Sequence, residues 1–286
     1  MEIRSDQRGR RAPTPTALSA LAPVPDGYRI LPDPLHGQPL TRIPAQPAEV
    51  RLRLDRSRES AQAGEPSQDY LAVRCDSRWL SFAVTDGVGS SFLGDVAAQI
   101  LAAHLSDWLV SAAAARTSPL HLALDSYLHG LSRAVAEQVA TWPLPDTLSG
   151  IVRSALDQQR AYGSEAMFAC GVVDLAGGAD ATVTVAWLGD THVRVFLRDG
   201  EQIHHSGQTS DRWSSRLGPR GSVGSQTWPL AQVARVIVCT DGLLPELEAT
   251  VALPDAELGA RLDALAVRPR NDDLALVDVG LIPQAV

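Results

Sequence analysis

Four acidic positions in this chain share one setting. Asp69 in "GEPSQDYLAV", Asp86 in "FAVTDGVG", Asp241 in "RVIVCTDGLL" and the Asp272-Asp273 pair in "RNDDLALVDV" each stand at the start or end of an apolar, strand-like run. A strand terminus holds its backbone rigidly and aims the side chain at a sheet edge, where gathered carboxylates repel unless a cation joins them. No histidine accompanies them and Cys239 belongs to the apolar run itself, so an all-oxygen donor set favours a hard ion, Mg²⁺ or Mn²⁺, over zinc. If Asp86 and Asp241 end neighbouring strands at one edge, two ions roughly 3.5–4 Å apart could share a bridging carboxylate and polarise a water between them, the machinery for hydrolysing a phosphate ester. Gly87 would then let its carbonyl oxygen approach a metal, having no side chain in the way. The plainer reading of each Thr-Asp-Gly is a turn, because Asp and Gly both tolerate positive φ.

Composition narrows the partners. The 286 residues suffice for one large domain or two small ones, and 45% apolar content supports a sizeable core. All 25 basic side chains are arginine, and the formal net charge of -8 offers no basic stripe for nucleic acid, so a cation partner fits better. Cys75, Cys170 and Cys239 are odd in number, far apart and set in apolar runs, which predicts core thiols, with no disulfide framework or zinc site. No stretch reads as a membrane span, and "TALSALAPV" is too short and proline-ended for a signal-peptide core, so a cytoplasmic protein is expected.

The elements that must position the acids begin late. Nine of the 19 prolines fall in residues 1–50, which lack helical or strand periodicity and read as a proline-rich arm, partly extended or disordered. From residue 51 to 283 a single regular domain is expected, with strands near 69–75, 79–85, 168–175, 182–188, 193–198, 235–240 and 274–281. Val96, Ile100, Leu105, Trp108 and Leu109 recur at helical spacing behind Gly94-Asp95, where Asp95 is a candidate cap, and Leu120, Leu124, Leu128, Leu131, Val135 and Val139 form a second stripe. Two strands before two long helices, then a meander, is not the alternation of a doubly wound sheet; it predicts mostly antiparallel sheets with helices outside.

Taken in order, "GEPSQDYLAV", "FAVTDGVGSSFLGDVAAQILAAHL", "AWLGDTHVRVFLRDG", "VIVCTDGLL" and "NDDLALVDV" resemble the motifs of the metal-dependent serine/threonine protein phosphatases of the 2C type, particularly their compact bacterial members. The resemblance runs from about residue 55 to residue 281. It implies an α+β fold, a four-layer αββα sandwich of two mostly antiparallel β-sheets flanked by helices, with a centre of two Mn²⁺ or Mg²⁺ ions at one end. Carried over by position, Asp86 would bridge both ions, the Gly87 carbonyl would bind one, Asp241 and Asp272 would hold the other, and Asp69 would position metal-bound water. Asp190 in "LGDTHV" matches a position that ties down the loop beyond its strand. The implied activity is hydrolysis of phosphoserine or phosphothreonine in a phosphoprotein, the product of a serine/threonine kinase, by direct attack of metal-activated water.

The chain departs from that pattern at several points. Gly64 stands where many members place an arginine that grips the substrate phosphate, Val88 where eukaryotic members often carry histidine, Gln68 where an acidic residue precedes Asp69, and Pro245 where a third-metal aspartate is expected. Arg212, Trp213, Arg216 and Arg220, in the Gly/Ser/Arg-rich segment after "FLRDG", are the candidates for contacting substrate, and His204-His205 read as surface residues. The competing reading is a catalytically weak relative that serves as a binding or regulatory module.

Overall fold

The computed structural model describes residues 27–116, 119–144, 148–246, 253–268 and 272–282; the arm expected at 1–50 therefore falls partly outside the described residues. Two sheets stack face to face. The first runs β1 (Tyr28–Ile30), β4 (Asp69–Cys75), β5 (Trp79–Gly87) and β6 (Glu165–Asp174). Beyond β6 the edge is divided: β7 (Thr182–Leu188) pairs with residues 168–173, and β10 (Arg212–Ser214) with residues 165 and 166. β11 (Gly218–Arg220) extends β10, and β12 (Gly224–Pro229) extends β7. The second sheet has the order β2 (Gln38–Ala45), β3 (Ala48–Asp55), β14 (Leu274–Leu281), β13 (Val233–Cys239), β8 (His192–Leu197), β9 (Gln202–His205). Every strand pairing among the described residues is antiparallel.

The near-continuous apolar runs of β4, β5, β6, β13 and β14 follow from burial on both faces: one face meets the opposite sheet, the other a helix layer. α2 (Gly94–Ala114) and α3 (Leu120–Ala140) cover the first sheet, with Leu124, Leu128, Leu131, Val135 and Val139 forming the inward stripe of α3. α4 (Gly150–Tyr162) packs on α3 and has no buried residue. α5 (Asp255–Ala266) covers the second sheet through Leu258, Leu262 and Leu265, spaced to put one face on Ile237, Cys239, Leu274 and Leu276. The four layers expected from the resemblance are thus present.

Three expectations need correction. The boundary at residue 51 falls inside β3, and β2 and β3 are full members of the second sheet despite their prolines. Pro39 and Pro44 lie on β2, an edge strand whose outer side needs no ladder partner, which is where proline is tolerated. α2, at 21 residues and mean hydropathy 1.2, is by length and composition apolar enough to cross a membrane, yet 67% of that window is buried in the domain, so it is a core helix. The residue capping α2 is Leu93, in the left-handed region at φ 49°, with Asp95 one position inside the first turn.

Candidate active site

Register brings the first two acids together. Asp69 and Asp86 are direct partners across β4 and β5, so their side chains project from the same face. That face looks toward the second sheet, because the alternate positions point the other way: the Ser81 and Thr85 hydroxyls donate to the Ser106 and Ala98 carbonyls of α2 at 2.6 and 3.0 Å. In the second sheet β13 ends beside the start of β14, with Cys239 opposite Leu276. Thr240 continues that pairing irregularly, its N–H donating to the Ala275 carbonyl at 3.1 Å and its hydroxyl oxygen accepting from the Ala275 N–H at 3.0 Å. Asp241 and Asp272 therefore emerge at one end of the second sheet, while the Thr240 hydroxyl also reaches Asp69 of the facing one.

Neither Thr-Asp-Gly is a hairpin turn. Among the described residues the positive-φ positions do not include Asp86, Gly87, Asp241 or Gly242. Their glycines are needed for close approach instead: a Cβ on Gly87 would lie 2.5 Å from the Gly94 carbonyl oxygen and 2.7 Å from that of Gln68, and one on Gly242 would lie 2.1 Å from the Asp273 oxygen.

The electrostatics record the convergence. Burial raises the Asp86 carboxyl to about 8, with Asp241, Asp190, Asp272 and Asp273 adding to the effect by repulsion. Asp69, 4% exposed, is pushed well above the ordinary carboxylate range, first by burial and then by Asp86, against a hydrogen bond from Thr240. Asp241 and Asp272 lie exposed at the rim, and partial desolvation by the walls raises both, followed by repulsion from Asp190 for the former and from Asp241 for the latter. Two buried oxygens, Asp69 Oδ2 and Asp190 Oδ1, have no hydrogen-bond partner. Like charges that raise one another's proton affinity, with unpartnered oxygens among them, form a donor set suited to hard divalent ions. Among the described residues no group of three or more His, Cys, Asp or Glu side chains is placed to hold a metal ion by itself, so these acids fit such ions only with further donors, of which the Gly87 carbonyl is the candidate.

The sequence profile described as protein phosphatase 2C matches residues 56–274, most of the chain, with the first four motifs and the start of the fifth. The chain belongs to the protein phosphatase 2C family. Its fold is similar to that of a bacterial serine phosphatase (TM-score 0.53, 12% identity, covering 83% of this chain and 99% of that one). It is also similar to the serine/threonine phosphatase Stp1 from Staphylococcus aureus (0.53, 12%, 82% and 95%) and to RsbX crystallised with magnesium (0.50, 14%, 85% and 99%). No functionally curated protein matches the sequence.

Within this phosphatase 2C domain the remaining candidates have distinct fates. Asp273 is buried and accepts from the Gln68 N–H at 2.6 Å and from the Ser57 N–H, so it anchors the two loops flanking α1 (Arg58–Ala63), and its neighbour Asp272 is the one left facing the edge. Asp190 accepts from its own backbone N–H, leaves Oδ1 without a partner and contributes to the charge felt by Asp86 and Asp241. Trp213 cannot touch substrate: it is fully buried on the helix side of β10, with Nε1 donating to the Leu128 carbonyl at 3.1 Å. Arg216 donates to the Ala161 carbonyl at the end of α4. Arg212 does face the site side and pairs with Glu165 at 3.3 Å. The adjacent histidines also differ from a plain surface pair: His204 Nε2 lies 2.8 Å from Nδ1 of the buried His192, and His205 stacks on Trp187 with centroids 4.1 Å apart. Residue 64 has φ 70° and caps α1, and although a Cβ there would meet nothing within 4 Å, the left-handed backbone selects glycine where arginine is common.

Proposed function

We propose that this chain is a Mn²⁺/Mg²⁺-dependent phosphoprotein phosphatase that hydrolyses phosphoserine or phosphothreonine monoesters set by a serine/threonine kinase. The observation that carries the reading is the meeting of Asp69 and Asp86, cross-strand partners in the first sheet, with Asp241 and Asp272 at the end of the second and Asp190 in the connection between the sheets, so that Asp86, Asp241 and Asp272 are each raised by a neighbouring carboxylate. Asp86, with the Gly87 carbonyl, Asp241 and Asp272, would hold two divalent ions. Bound there, such ions supply a lowered water pKa and neutralise charge on the phosphoryl oxygens. Asp69, oriented by the Thr240 hydroxyl, presents its unpartnered Oδ2 to orient the attacking water and take its proton. Val88 supplies no proton, so solvent protonates the departing serine or threonine alkoxide.

The test is hydrolysis of phosphoserine and phosphothreonine peptides and of p-nitrophenyl phosphate, with and without Mn²⁺. Metal-stimulated turnover that disappears in Asp86→Asn is expected; full activity in that variant rejects the assignment. The open, glycine-capped end of α1 favours a second reading, a catalytically weak binding module. Calorimetric titration with Mn²⁺ separates them: two sites with turnover support the enzyme, one weak site without turnover the module.

A further inference from the structure

Strand pairing gathers positive charge beside the acidic edge. Glu165 opens β6 two residues before Met167, the partner of Asp86, so Glu165 and Asp86 project from the same face. Ser214 is opposite Glu165, and Arg212, two residues earlier on β10, is opposite Arg220 on β11. Arg212, Arg220, Glu165, Asp86 and Asp69 therefore share the face that looks toward the second sheet, whereas Trp213 and Ala166 point to the helices. The Glu165 carbonyl also accepts from the Val88 N–H at 3.0 Å, which pins this corner to the loop leaving Gly87.

The two arginines are used differently. Arg212 is spent: its guanidinium donates to the Thr209 carbonyl at 3.0 Å, to that of Ser210 at 3.4 Å and to Glu165 Oε2 at 3.3 Å, holding the turn before β10. Its charge reaches Asp190, the common neighbour of Asp86 and Asp241. Arg220 makes one polar contact, Nη1 to Glu165 Oε1 at 3.0 Å, and remains 53% exposed, so the rest of its five-donor fork is open. Glu165, with a side chain 13% exposed, holds Arg220 in place by one oxygen and Arg212 by the other.

We infer that Arg220 grips the phosphoryl oxygens of the substrate monoester, with Glu165 as its positioning residue and Arg212 as the brace behind it. This rests on the phosphatase reading above and deepens it: the chain, lacking the arginine at position 64, recruits one from β11, at the end of the first sheet. A planar guanidinium with free donors matches a phosphate dianion, and one net positive charge from two arginines and one carboxylate offsets the negative rim that substrate must cross.

The experiment compares wild type with Arg220→Ala, Arg220→Lys, Glu165→Gln and the distant control Arg78→Ala. Each is checked for an unchanged melting temperature. In the Mg²⁺-loaded protein, Arg220→Ala should raise KM for a phosphoserine peptide, and Ki for inorganic phosphate, about 10- to 100-fold while kcat falls less. Arg220→Lys should restore part of that loss as a point charge, Glu165→Gln should move KM in the same direction by a smaller factor, and Arg78→Ala should do neither. Unchanged KM and Ki in Arg220→Ala, or an equal loss in kcat alone, overturns the inference. Calorimetric binding of phosphoserine separates it from the phosphatase reading. If wild type binds phosphoserine and Arg220→Ala does not, while neither turns over, the grip stands and the activity fails. If wild type neither binds nor turns over, both fail.

Discussion

The two Thr-Asp-Gly strand endings are alike in sequence and differ in what surrounds them. Thr85-Asp86-Gly87 lies inside β5, a central strand, with the Thr85 hydroxyl 3.3 Å from the Tyr70 carbonyl and 3.0 Å from that of Ala98, so this threonine serves only its own sheet and helix. Thr240-Asp241-Gly242 follows β13 and opens a short 3₁₀ turn, Asp241–Glu246, and its threonine hydroxyl accepts from Ala275 and reaches Asp69 in the other sheet. The first copy is a buried platform; the second is a rim that connects the two sheets. Identical tripeptides thus perform different work because one is enclosed by neighbours on both edges and the other ends its strand.

The largest test of that contrast lies in the aspartates. Asp86 is expected to serve both ions and Asp241 one. Asp86→Asn should therefore reduce Mn²⁺-stimulated hydrolysis by at least about 10³-fold, the scale of roughly 4 kcal/mol of transition-state stabilisation, with Asp241→Asn losing less and recovering partly at high Mn²⁺. Equal losses, unrelieved by metal, would remove the distinction.

The threonines sharpen it next. Thr240→Val deletes a hydroxyl that orients Asp69, so kcat should fall about 10- to 100-fold, as for outer-shell partners of metal ligands. Thr85→Val should cost only about 1 kcal/mol of stability, with kcat nearly unchanged. Paired thermal melts and steady-state kinetics decide; a reversed ranking would mean that the buried platform, not the rim, tunes the acid.

The smallest effect is in pH. A carboxyl whose folded pKa lies above its unfolded value makes the folded state bind more protons, so stability falls as pH rises between the two values. For Asp86 that window runs from near 3.8 to about 8, and Asp69 adds in the same direction. Melting temperature of the metal-free protein should decline across this range. Saturating Mg²⁺ should raise it most at the alkaline end; a slope of the opposite sign, or one indifferent to Mg²⁺, would show that the acids do not crowd each other in solution.

The sheets differ in how legible they were. β4 and β14 coincide with the runs expected at 69–75 and 274–281, because strands buried on both faces read as unbroken apolar segments, and β7 coincides with 182–188 through the Thr/Val alternation of a half-buried strand. β2 escaped notice because Pro39 and Pro44 read as breakers, and only membership of an edge makes them tolerable. β10 and β11 are three residues each and take their structure from pairing, β10 with β6 and β11 with β10, which no local pattern announces. In the site, the acids were recognisable by their strand-end setting, while the division of labour between Asp272 and Asp273, the unpartnered oxygen of Asp190 and the alignment of Arg220 by Glu165 depend on neighbours more than 50 residues away or on which of two adjacent side chains turns inward.

From its amino acids alone this protein was committed to a layered α+β domain with oxygen donors at strand ends, since hydrophobic run length, side-chain period and ligand chemistry are properties of the linear chain. Which carboxylates share a space, which arginine is left open and which tryptophan is sealed into the core were decided by register and by sheet-on-sheet stacking. Those choices are made by long-range pairing, where a shift of one residue turns every side chain to the opposite face.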